Sequence, residues 1–167
     1  MWSRLLLAID QYESGQTALA FTAGLAIATD SNVRVLHLRE LALGPRVPPL
    51  ETPNDAQLLV DGATLSLRLA GVGAEGQARS VRADRVAHGI VEESVEWRCD
   101  AIVLGSRRLR GVDRLSGRGV REHVLRLSSL PVITAPPAAD NGVHSPAWLR
   151  RGMADRREAG MPLRPTG

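Results

Sequence analysis

The run RLLLAID, residues 4–10, decides the fold. Leu5 to Ile9 are apolar without a break, and an acid, Asp10, closes the run. A strand with one wet face alternates apolar and polar residues. A strand without alternation is buried on both faces, which is the situation of a parallel sheet covered by helices. The segments on either side fit that reading. Ser14-Gly15-Gln16-Thr17 opens a helix with Ser14 as the expected N-cap, and Ala18, Phe21, Leu25 and Ala28 recur at helical spacing as its sheet-facing side. NVRVLHL, residues 32–38, is a second strand.

Further along, Pro45, Pro48, Pro49 and Pro53 make residues 41–54 a loop, because proline breaks a helix interior. A helix is expected over Asp55–Ala70 with Leu58, Leu59, Ala63 and Leu67 on one side, and GVGAEG at 71–76 ends it. QARSVRA, 77–83, reads as a weaker third strand near a sheet edge. Arg85–Arg98 reads as a helix carrying Val86, Ile90, Val91, Val95 and Trp97, with the pair Glu92/Glu93 on its solvated face. DAIVLG, 100–105, is a fourth buried strand, Val120–Leu127 a fourth helix, and Pro131–Ala135 a fifth strand. Strands alternating with helices give an α/β, doubly wound, Rossmann-like architecture with a five-stranded parallel sheet and helices on both faces. Ligands in such folds bind beyond the carboxyl ends of the strands, which singles out Asp10, Leu38 and the loop that starts at Gly105.

The chain has 167 residues, enough for one domain, and 3% aromatics, so aliphatic side chains must build the core. Domain 1–136 is followed by a Pro-, Gly- and Arg-rich segment, 137–167, expected to be disordered and to add no core strand. A short helix near Ala147–Ala159 is expected within it. Trp148 and Leu149 are its large apolar pair and would anchor it if it served as a swapped arm. No apolar run approaches the roughly 20 residues of a membrane span, no signal peptide is evident, and the single Cys99 excludes an intrachain disulfide, so a cytoplasmic location is expected. Cys99 reads as a packing residue. All 21 basic residues are arginine. Residues 1–103 carry 9 Arg against 13 acids, whereas residues 104–130 carry 7 against 2, a concentration suited to an anionic partner.

Four stretches, LLLAIDQYESGQTAL, VRVLHL, DAIVLGSRRLRGVDRL and GVREHVLRLSSLPVITA, together resemble the universal stress protein family over about residues 3–136. The resemblance implies a sheet of order 3-2-1-4-5, with Asp10 and Gly105 flanking one crevice where many members bind ATP. It also implies a phosphate loop of the form Gly, two residues, Gly, nine residues, Gly, Ser/Thr, whose glycines let backbone N–H groups approach the phosphates. Here Gly105 fills the first position, but Arg108 and Arg118 stand at the next two and Gly119 at the Ser/Thr position. An Arg held at positive φ costs about 1–2 kcal/mol, and its Cβ obstructs the approach.

These readings lead to a non-catalytic, stress-response regulatory module that acts by dimerisation and partner binding, with weak or no ATP binding. Family members commonly pair through the last strand, which points to a homodimer through Pro131–Ala135. No cofactor is expected, and ATP is the alternative, held at Asp10, the Leu38 backbone, Gly105, Arg107, Arg108, Arg118 and Gly119, with guanidinium groups in place of backbone donors. A third reading is a polyanion binder at the Arg-rich loop. An enzyme is not expected. The sequence has no Gly-x-Ser-x-Gly elbow and no Walker loop, and its histidines, His37, His88, His123 and His144, lack metal-ligand spacing. His37 reads as a satisfied buried histidine.

Overall fold

The structure is a computed structural model that describes residues 2–11, 13–41, 51–106 and 119–136. Its elements run β1 (Arg4–Ile9), α1 (Glu13–Thr29), β2 (Asn32–Leu41), α2 (Pro53–Leu69), β3 (Ala74–Arg82), a 3-10 turn (Ala83–Arg85), α3 (Val86–Glu96), β4 (Ala101–Leu104), α4 (Val120–Leu127) and β5 (Val132–Thr134). The strands form one five-stranded sheet of order β3-β2-β1-β4-β5, all in parallel pairs. β1 is central because its run can be buried on both sides. Leu5, Leu7 and Ile9 face the layer of α1 and α2. Leu6 and Ala8 face α3 and α4.

Where helices lie close to the sheet, small residues permit it. Ala18, Thr22 and Ala26 form the buried line of α1, with Phe21 and Leu25 at its flanks. Ala28, expected on that line, is exposed. The buried face of α2 is Ala56, Val60, Ala63, Thr64 and Leu67, and Leu58 points outward. A side chain at Gly76 of β3 would collide with Val60 and Thr64, so α2 can rest there only on a glycine.

The sequence placed several boundaries a few residues away from where they fall. α1 begins at Glu13, so Ser14 lies inside its first turn rather than capping it. α2 begins at Pro53, the first helical position, where the missing N–H is harmless. Thr52 caps it: its Oγ1 accepts from the Asp55 N–H at 3.1 Å, and the Asp55 carboxylate accepts from the Thr52 N–H at 3.3 Å. β3 starts at Ala74, taking in part of the expected breaker, because Gly76 is demanded by α2.

The largest departure is Glu93. It is not on a solvated face but 4% exposed, sharing with Val86 and Ile90 the side of α3 that meets the sheet. Arg79 donates to it at 3.0 Å, and the Arg34 guanidinium lies 3.4 Å away. Arg34 and Arg4 in turn lie over the Trp97 ring, 5.5 and 5.0 Å from its centre, and the Trp97 N–H donates to Glu75. The sheet face under the end of α3 is therefore polar and paired. Beside it Cys99 is buried, and burial, reinforced by the Glu93 charge, pushes its thiol up to about 12. That makes it an inert packing residue.

At the amino edge, Asp100 accepts from the Ser3 and Arg4 N–H groups at 2.7 and 2.8 Å and from the Ser3 hydroxyl at 3.0 Å. These bonds, the Ser3 backbone donor first, hold its carboxyl below the usual aspartate range.

Two outcomes follow from this polar edge. Glu93→Ala leaves two guanidinium groups without their buried counter-charge and is expected to cost about 3 kcal/mol in urea unfolding. A loss under about 0.5 kcal/mol, the range of ordinary surface changes, would contradict the burial. Because folding lowers the pKa of Asp100, its ionised form stabilises the protein above the normal aspartate range. That contribution is lost as pH falls through the depressed folded value. Asp100→Asn should therefore lower stability by on the order of 1 kcal/mol at neutral pH, a solvent-screened value. The gap from the wild type should close at acid pH, and a pH-independent gap would refute the assignment.

Candidate functional site

The carboxyl ends of β2, β1 and β4 lie side by side. Ile9 is level with His37, and Ala8 with Leu104. Continuing that register by one or two residues brings Leu38, Asp10 and Ser106 to one level across three strands, with Gly105 just before. The structure thus brings together three of the expected crevice residues, Asp10, Leu38 and Gly105, at the point where the strand order reverses. Gly119, the fourth described one, is the N-cap of α4. Arg107, Arg108 and Arg118 lie outside the described residues.

Each of these positions has a physical reason. Asp10 ends β1 and meets the first turn of α1. A Cβ at Gly15 would collide with the Asp10 backbone, so the helix can start this close to the strand end only with glycine there. The Leu38 side chain is buried toward α3, against Gly89, and leaves only its backbone to the crevice. Ser106 Oγ is buried and has no hydrogen-bond partner among the described residues. It is a polar group at the mouth of the crevice that the sequence reading passed over, although its place directly after Gly105 marked it.

Gly119 adopts φ −62° and ψ 145°, an extended conformation open to any residue. The Glu122 carboxylate lies where a Cβ at 119 would stand, a place its flexible side chain can leave. Glu122 sits in the first turn of α4. Its hydrogen bond from Arg121, at 2.9 Å, holds its carboxyl below the usual range. A negative charge there suits the helix N-terminus. A serine at 119, as in the phosphate-loop pattern, would require Glu122 to turn away.

His37 closes the site from the α1/α2 side. The ring is buried. Its Nδ1 lies 2.9 Å from the Ile9 carbonyl, and its Nε2 lies 2.8 Å from Glu51 Oε2. Arg39 adds a donor to the Glu51 carbonyl at 3.2 Å. His37 thereby ties the end of β1 to the residue that leads into α2. It is the satisfied histidine the sequence suggested. Glu51 as its partner could not be foreseen, because the 14-residue separation has no periodic signature.

Among the described residues no group of histidines, cysteines and acids could hold a metal ion, and no helix is long and apolar enough to cross a membrane.

Residues 1–136 match the Universal stress protein family. No curated protein sequence matches the chain. Solved structures do. A protein of that family from Burkholderia pseudomallei is 22% identical with a TM-score of 0.65, covering 80% of this chain and 96% of its own. The universal stress protein from Archaeoglobus fulgidus in complex with dAMP is 24% identical with a TM-score of 0.59, covering 80% of this chain and 98% of its own. A family protein from Arabidopsis thaliana with AMP bound is 20% identical with a TM-score of 0.57, covering 87% and 99%. These likenesses establish the shared fold.

The His37–Glu51 pair generates a test. His37→Ala strands a buried carboxylate and a carbonyl and should cost about 2–3 kcal/mol. In a double-mutant cycle with Glu51→Ala, read by urea unfolding, the two losses should fall short of additivity by 1 kcal/mol or more, roughly the coupling of contacting groups. Additive losses would contradict the contact.

Proposed function

This chain belongs to the universal stress protein family, and we propose that it is a cytoplasmic, non-enzymatic regulatory module of the stress response that works as a homodimer paired through β5 and binds ATP weakly or not at all. The observation that carries the proposal is the state of β5. It is a strand of three residues, Val132–Thr134, at the edge of the sheet, and among the described residues it pairs with a strand on one side only. Alternation along a strand would let one of Val132 and Ile133 meet the core and the other a partner. Instead Ile133 packs against the α1/α2-side cluster and Val132 against the α3/α4-side cluster, and both are only half-buried. Leu125 and Leu127 of α4 are exposed as well. A second β5 would extend the sheet and cover these residues, which is the usual remedy for an apolar edge. The weak-ATP part rests on the loop sequence, where Arg108 and Arg118 replace glycines, and on Glu122 already supplying a negative charge at the α4 N-terminus. The absence of a nucleophile–base pattern in the sequence supports a non-enzymatic role.

A second reading has a specific observation in its favour. Asp10 stands against Gly15 with the Leu38 backbone beside it, where the family resemblance puts the nucleoside, and Ser106 Oγ lacks a partner among the described residues. The relatives with dAMP and AMP bound make a nucleotide-binding switch the alternative, with the arginines of 107–118 as phosphate ligands.

Pairing is tested at the open edge. The Ala135 N–H donates to Leu104, and the Pro131 carbonyl accepts from Ile102. The period of two therefore puts the Thr134 N–H on the free side. Thr134→Pro removes that donor while sparing the bonds to β4. Sedimentation should find a wild-type dimer and a folded Thr134→Pro monomer. A monomeric wild type, or a variant that still dimerises, would overturn the pairing.

A further inference from the structure

The outer side of the α1/α2 layer is apolar. Leu58, Leu65 and Leu69 are 59%, 57% and 80% exposed, and their spacing of seven and four residues puts them in one stripe along α2, with Gly62 between. On α1, Ile27 is 61% exposed, and residues 14–29 contain no charged side chain. A surface helix ordinarily shows charge to water on this side. We infer that the stripe is covered by the chain's own C-terminal segment, with Trp148, Leu149 and Met153 lying on Leu58, Leu65 and Leu69 of the same molecule.

Three observations select this occupant. The first is reach. β5 ends at the carboxyl edge of the sheet, and α2 starts from that same edge after β2, so Leu58 is the near end of the stripe. β5 and β2 are separated by β4 and β1, a lateral span of about 14 Å, and clearing the helix adds about 15 Å. Twelve residues from Pro136 to Trp148 extend up to about 40 Å. The second is apolar content. Trp148, Leu149 and Met153 share one side of the helix expected at 147–159, and they are the large apolar residues of that stretch. The third is charge. Residues 131–167 carry 5 Arg against 3 acids, whereas 1–103 carry 9 Arg against 13 acids, and Asp61 flanks the stripe directly. Attachment in one chain gives the segment a high effective concentration, so modest contacts suffice and exchange with a second molecule is not needed.

Limited trypsinolysis of the full chain tests the inference, because Arg150-Arg151 and Arg156-Arg157 are tryptic sites inside the segment. Docking protects them. Leu65→Glu, on an exposed position, and Trp148→Ser should each speed cleavage at 150–151 roughly tenfold while leaving circular dichroism unchanged. Equal cleavage rates in the wild type and both variants would overturn the inference. A Leu65→Cys/Leu149→Cys pair gives a second readout, since the buried Cys99 thiol, pushed up to about 12, stays out of the reaction. An intrachain disulfide is expected. A predominantly interchain disulfide would mean a swapped arm or a dimer on this face, and no disulfide would mean an open stripe; each contradicts the inference.

Discussion

Burial of β1 on both faces is the constraint from which the remaining architecture follows. Leu5, Leu6 and Leu7 are fully inaccessible, and three such side chains contribute on the order of 6 kcal/mol to folding. That is available only if a helical layer covers each face. Two layers require crossovers of consistent hand, and these place β2 and β4 on either side of β1. The crevice at the carboxyl edge is a consequence. The connections after β1 and β4 leave the sheet toward opposite layers, so the ends of the two strands are left uncovered by either helix. Asp10 and Gly105 stand at the gap.

Several polar groups inside this frame are paired. Glu93, among the least exposed acids, has guanidinium groups from two neighbouring strands. His37 has a hydrogen-bond partner at each nitrogen. Among the described residues Arg34 Nε, Thr64 Oγ1, His88 Nδ1 and Ser106 Oγ are buried without one, and of these Ser106 stands at the crevice mouth. Buried groups without partners cost free energy, and their place in a fold is most readily understood where a ligand can supply the missing bond. The open side of β5, the crevice at the carboxyl ends of the strands and the apolar side of α2 lie on different parts of the domain, so each can be altered without removing the others.

Most of the architecture was legible because it rests on hydrophobic pattern. RLLLAID and DAIVLG each lack alternation, and the family resemblance supplied the strand order. Residues whose role depends on a distant neighbour were not legible. Leu58 reads as core beside Leu59, yet the helix phase is set by Val60, Ala63 and Leu67. Glu93 was assigned to solvent by its chemistry, although its spacing from Val86 and Ile90 already put it on the buried side. Thr52-Pro53-Asn54-Asp55 contained a full helix-start signal, but the preceding prolines obscured it. At the crevice, Asp10, Leu38 and Gly105 follow from topology, and Ser106 was marked by its place directly after Gly105, whereas Gly15 and Glu51 matter through contacts that no local rule encodes.

The proposed function has weak or no ATP binding at the crevice where Asp10, Leu38 and Gly105 come together. Isothermal titration of the purified full-length protein with ATP addresses it directly, after quantification of any nucleotide that accompanies the protein. That proposal predicts no stoichiometric bound nucleotide and an ATP affinity well weaker than micromolar, since Arg108 and Arg118 occupy sequence positions that are glycine in the family's phosphate-loop pattern. Stoichiometric ATP in the purified protein, or a low-micromolar Kd, would contradict it.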